Sequence, residues 1–135
     1  MIESAEEFVR LRSSGDSADL LRTKREDAPL DVWLDLVNHH PDMRFWVTFN
    51  RHVPSDVLRL LVRDDDWRVR ANIASRKGVP EDILETLSHD DHDAVVSSAA
   101  ANPGTPTDAL TRLSRHPWEE VRDHALAQLA ERRER

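Results

Sequence analysis

The chain has 135 residues and a formal net charge of −7, from 19 basic and 26 acidic residues. It holds no Cys, which excludes disulfides, thiol nucleophiles and cysteine-ligated zinc or iron–sulfur centres. At 39% hydrophobic and 33% charged it fits one folded domain, and no stretch approaches the ~18 apolar residues of a membrane span. The acidic start MIESAEEF is unlike a signal peptide. With the absence of Cys, it sets the expectation of a cytoplasmic protein with no membrane partner. The basic residues are 17 Arg and 2 Lys, a bias that fits a GC-rich, bacterial coding sequence.

In chain order, Ser4-Ala5-Glu6-Glu7 is a capping-box pattern that opens a helix with Phe8 and Leu11 on one face. Ser13-Ser14-Gly15-Asp16 breaks it, and a second short helix carries Leu20 and Leu21. Residues 1–28 therefore read as an N-terminal helical cap. From there the chain repeats itself. Pro29, Pro54, Pro80 and Pro106 are spaced 25, 26 and 26 residues apart, and each is followed two residues later by Asp31, Asp56, Asp82 or Asp108. Three apolar columns follow: Val32/Val57/Ile83/Ala109, Trp33/Leu58/Leu84/Leu110 and Leu36/Leu61/Leu87/Leu113. A second register holds Met43/Val69/Val95/Val121 and, four residues on, Val47/Ile73/Ala99/Ala125.

Each unit reads as two short helices. Proline suits the first helical position, with Thr105 as the N-cap before Pro106, and the Asp complements the helix dipole. The turns His39-His40-Pro41, Asp64-Asp65-Asp66, Asp90-Asp91-His92 and His116-Pro117-Trp118 close the first helices, and their Asp side chains are expected to cap the second. The second helices run for about two turns, to breakers such as Gly78 or Pro103-Gly104. Trp33 sits in a leucine column and reads as core. The first unit's second helix is aromatic, with Phe45, Trp46 and Phe49, and Trp46 is expected to pack under the N-terminal cap. Val121–Arg135 reads as a longer, polar closing helix.

A unit of about 26 residues is too short for tetratricopeptide or HEAT repeats, and the strand of an ordinary leucine-rich repeat is missing. The run Val95, Ala99, Asn102, Pro103, Thr105, Pro106, Leu110, Leu113 resembles the variant leucine-rich repeat (LRV) family. That resemblance implies an all-α, right-handed, HEAT-like solenoid of four repeats, 29–53, 54–79, 80–105 and 106–135. Arg76-Lys77-Gly78-Val79 departs from the motif. Some members carry a cysteine-ligated iron–sulfur cluster, which this Cys-free chain does not transfer, so no cofactor is expected.

Charge is uneven along the repeats. Residues 54–79 have six basic and four acidic residues, whereas 80–105 have six acidic residues and no Lys or Arg. The functional reading is a docking face for a basic protein partner; the bland one is solvation of helix surfaces. His89, Asp90, Asp91, His92 and Asp93 are metal-ligand types, yet a single HxxH lacks a third ligand in sequence, and no metal is assigned. Trp67 and Trp118 precede second helices as binding anchors or as staples between units. The candidate partner-binding residues are Trp67, Arg70, Asn72, Arg76, Asp90, Asp91, Asp93, Ser98, Asn102, Trp118, Arg122 and His124. No phosphate loop, HExxH or G-x-S-x-G occurs, so no catalytic residue is assigned. A non-catalytic, monomeric protein-binding module is expected, of inhibitor, immunity or adaptor type. Nucleic-acid binding through Arg68, Arg70 and Arg76 is the alternative, interrupted by the cation-free third unit.

Overall fold

Local signals start the first two helices. Ser4 Oγ accepts from the Glu7 backbone N–H at 3.0 Å and opens α1, Ala5–Ser13. The Glu7 carboxylate reaches back to the Glu3 N–H at 3.3 Å, one residue short of a reciprocal capping box. Asp16 accepts from the Ala18 N–H at 2.8 Å and opens α2, Ser17–Arg25. Leu20 is half-buried on α2, whereas Leu21 is exposed. A computed structural model describes residues 1–134. They form ten α-helices with no strand among the described residues. The others are α3 (Leu30–His39), α4 (Arg44–Val47), α5 (Ser55–Leu61), α6 (Trp67–Ala74), α7 (Glu81–Leu87), α8 (Asp93–Ala101), α9 (Thr107–Leu113) and α10 (Glu119–Arg133).

Three details correct the sequence reading. Pro29, Pro80 and Pro106 are not the first helical residues but the caps before α3, α7 and α9, with extended ψ of 153°, 147° and 144°. The pyrrolidine ring fixes φ and leaves ψ free, so proline can turn its carbonyl into the helix while staying outside it. Thr105 is therefore not an N-cap; it is fully buried and donates Oγ1–H to the Ala99 carbonyl at 2.6 Å. α8 is capped by an imidazole instead of an aspartate. His92 Nδ1 accepts from the Ala94 N–H at 3.1 Å, so Nδ1 is the unprotonated nitrogen. Asp66 does cap α6, accepting from the Arg68 N–H at 2.9 Å. Finally, α4 has only four residues after a 3₁₀ turn at Pro41–Met43. The closing helix begins at Glu119, and its expected end at Arg135 lies outside the described residues.

The chain forms two compact units, Met1–Leu61 and a second beginning at Val62. In the first, α1 packs on α2 and α3, α2 on α4, and α3 on α4 and α5. Trp33 is fully buried there, with its ring edge-on to Phe8 at 6.2 Å. In the second, α8 packs against α6, α7 and α10, and α9 against α10. Val96, Ala100, Leu110, Leu113, Val121 and Ala125 form one apolar cluster in that unit. Every member of the five apolar columns is buried, none more than 9% exposed.

Polar contacts recur with the same period. Asn50 is fully buried, and its Nδ2 donates to the Thr23 and Glu26 carbonyls, both at 2.8 Å. Two periods later Asn102 Nδ2 donates to the Ala74 and Arg76 carbonyls at 2.8 Å, and its Oδ1 accepts from the Gly104 N–H at 2.9 Å. One period further, Gln128 Nε2 donates to the Ala101 carbonyl at 2.9 Å. In each case a side chain satisfies carbonyls left open at the end of an earlier helix. A second series uses arginine: Arg44 donates to the Val37 carbonyl at 2.7 Å, Arg70 to Asp64 at 2.6 Å and Arg122 to His116 at 3.0 Å.

Candidate functional site

The sequence puts acidic turns at the same place in successive units, and within the second unit two of them line one cleft. The turn after α5 supplies Asp64 and Asp65, and α7 with the turn after it supplies Glu85, His89, Asp90 and Asp91. The cleft has a volume of about 560 Å³, and Val62, Arg63, Arg70 and Thr86 complete its lining.

Arg70 organises this surface. Its Nε and second terminal nitrogen hold both Asp90 oxygens at 2.8 and 3.2 Å, while the other nitrogen holds the Asp64 carbonyl. Such a two-pronged pair is the strong form of an ion pair. The side chains are 17% and 9% exposed, so the bridge is largely shielded from water. The Asp90 bond raises the Arg70 pKa above its ordinary value. Asp90 Oδ1 also accepts from the His92 N–H at 2.9 Å, fixing the turn. Arg68 is likewise engaged, with both Asp66 oxygens, and that bond lowers the Asp66 pKa. Glu85 lies 3.1 Å from His89 Nε2 and 3.8 Å from Arg112. Asp65 and Asp91 are exposed, and no ion pair among the described residues involves either. The cleft thus presents the exposed carboxylates of Asp65 and Asp91 beside the exposed Arg63 and the half-buried Arg70–Asp90 bridge.

The remaining sequence candidates divide between scaffold and surface. Asn102 was expected to be exposed and is 4% exposed, because its amide serves the inter-helix bonds described above. Arg70, Asp90 and Arg122 are half-buried; the first two form the bridge described above, and Arg122 donates to the His116 and Pro117 carbonyls and so braces a turn. Arg76 is half-buried, and desolvation lowers its pKa. Trp67 stacks on His92 with centroids 4.3 Å apart and planes at 9°, while remaining 41% exposed. Ser98 and His124 border a separate groove of about 320 Å³ with Ser75, Lys77 and Ser97. Trp118, 37% exposed, borders a hollow with Glu119, Glu120 and Asp123. Asn72 is half-buried, and Asp93 is exposed in the first turn of α8.

Asp64, Asp65, Glu85 and His89 were missed as members of the site. The available signal was the 26-residue spacing of Asp64 and Asp90, which sets successive acidic turns side by side. In the His89–His92 pair, His92 Nδ1 caps α8 and His89 Nε2 lies 3.1 Å from a Glu85 oxygen, so one nitrogen of each ring is already engaged. Among the described residues, Glu6, Asp35 and His40 bring three ligand-type atoms within 4.8 Å, but Asp35 already holds His39 Nδ1 at 2.8 Å. No helix among the described residues is long and apolar enough to cross a membrane. The chain matches no family model, no curated protein and no solved structure.

Proposed function

We propose that the protein is a non-catalytic, monomeric binding module that docks a basic protein partner on the acidic cleft of its second unit. The observation that carries this reading is the pair of exposed carboxylates, Asp65 and Asp91, which line the cleft without an ion-pair partner among the described residues. Such a pair steers cations inward and selects partners by sign. The proposal includes a cytoplasmic adaptor, inhibitor or immunity role. It also includes an LRV-like right-handed solenoid of four repeats as the scaffold. Supporting that scaffold are the buried columns and the recurring Asn50, Asn102 and Gln128 bonds. The nucleic-acid reading is weakened because Arg68 and Arg70 are held by Asp66 and Asp90.

The test is association kinetics with the partner recovered by affinity capture. Asp65→Asn with Asp91→Asn leaves the circular dichroism unchanged and slows association about tenfold at low salt. The deficit shrinks towards about 0.5 M salt, where screening is complete across the cleft. Asp90 is left intact because it holds the fold. An unchanged on-rate at low salt overturns the proposal.

A further inference from the structure

We infer that the aromatic face of the first unit is a second docking surface, cationic where the cleft is acidic, for an acidic segment that carries an aromatic residue. It rests on different residues from the cleft, so either surface can fail alone. Phe45, Trp46 and Phe49 form one cluster, with centroids 4.8 Å apart for Phe45–Trp46, 5.1 Å for Phe45–Phe49 and 5.9 Å for Trp46–Phe49. Phe49 is 43% exposed, a large apolar surface left open. Each ring of the stacked pair has a cation over it: Arg12 Cζ lies 3.5 Å from the Trp46 centroid and Lys24 Nζ 5.9 Å from that of Phe49. Among the described residues neither cation has a carboxylate at ion-pair distance, although neighbouring Arg22 pairs with both Glu7 and Glu26. Arg12 Nε is buried without a hydrogen-bond partner, and desolvation lowers the Arg12 pKa. Arg51 adjoins the patch, its backbone N–H donating to the Lys24 carbonyl at 3.2 Å.

These features select the occupant. Positive charge is held beside exposed apolar surface with no internal counter-ion, so the complementary partner is negative and partly apolar. A nucleobase needs an open ring face to stack on, whereas Trp46 already has the Arg12 guanidinium 3.5 Å from its centroid. A carboxylate needs only the outer N–H groups and the positive ring edges. Carboxylates on a segment with one aromatic side chain satisfy both parts of the patch.

The test is fluorescence anisotropy of a labelled, Glu- and Asp-rich peptide bearing one Phe, titrated with the full chain at low salt. Saturable binding is expected below about 1 mM, the range of a weak transient contact. Lys24→Glu, on an exposed side chain, weakens it about fivefold or more, and Phe49→Ala acts in the same direction. Asp65→Asn with Asp91→Asn leaves it unchanged. Absence of saturable binding, or loss that does not follow Lys24→Glu, overturns the inference. Preferential binding of oligo(dT) overturns it too, as does a Lys24-dependent self-association in sedimentation velocity, since each names another occupant.

Discussion

At the scale of the residue, polar side chains that look alike in sequence do opposite work. Asn102 and Ser98 are both polar residues of the same unit, yet Asn102 is buried and bonded through every polar atom of its amide, whereas Ser98 borders an open groove. Replacing Asn102 by Ala leaves the Ala74 and Arg76 carbonyls and the Gly104 N–H to find new partners. Buried groups stripped of partners are costly, so Asn102→Ala is expected to lower unfolding stability by about 2–4 kcal/mol. Ser98→Ala should stay within about 0.5 kcal/mol. Urea denaturation of the two variants checks both values, and equal midpoints would remove Asn102 from the scaffold. Gly78 is constrained differently, since its φ of 76° is a conformation that side-chain-bearing residues avoid.

At the scale of the element, the helices before α10 are too short to stand alone, and packing holds them. Helices of seven to ten residues are marginal in water. The aromatic run after Met43 illustrates the point. α4 ends at Val47, Asn50 three residues on reaches the Thr23 and Glu26 carbonyls, and Phe49 between them is exposed. Leu84 on α7 and Leu110 on α9 occupy the same column and are both fully buried. Leu84→Ala and Leu110→Ala should each cost about 2–5 kcal/mol through lost burial and the cavity left behind. A denaturation midpoint unchanged by either would break the column alignment.

For the whole molecule, the sign of the net charge is a poor guide to any one surface. The chain carries −7, yet Arg12 and Lys24 stand over aromatic rings without carboxylate partners. The acidic excess of residues 80–105 is in turn reduced by the Arg70 bridge from α6. Long-range attraction to a polyanion depends on the total, and a duplex presents rigid phosphate rows that need many cations at once. Binding to duplex DNA at physiological salt is therefore expected to be no tighter than tens of micromolar, roughly the non-specific range. Electrophoretic mobility shift at several salt concentrations checks this, and a submicromolar complex abolished by Arg68→Glu, a change on an exposed side chain, would reinstate nucleic acid as the partner.

The sequence by itself determined the helical class and the core. Apolar residues at fixed offsets must share a helix face, and the columns led by Val32, Trp33 and Leu36 are buried as that rule requires. The capping role of Ser4 was equally legible, because a cap is a contact three residues long. Tertiary structure alone decided which polar residues are scaffold. Arg70 finds Asp90 twenty residues away, and Asn102 finds carbonyls 28 and 26 residues back. Hydrogen bonds of that reach depend on helix packing, which a run of residue types does not encode locally. The same holds for the cations over Trp46 and Phe49, since Arg12 and Lys24 arrive from α1 and α2. Burial follows local periodicity, whereas the pairing of charges follows the distances that packing creates.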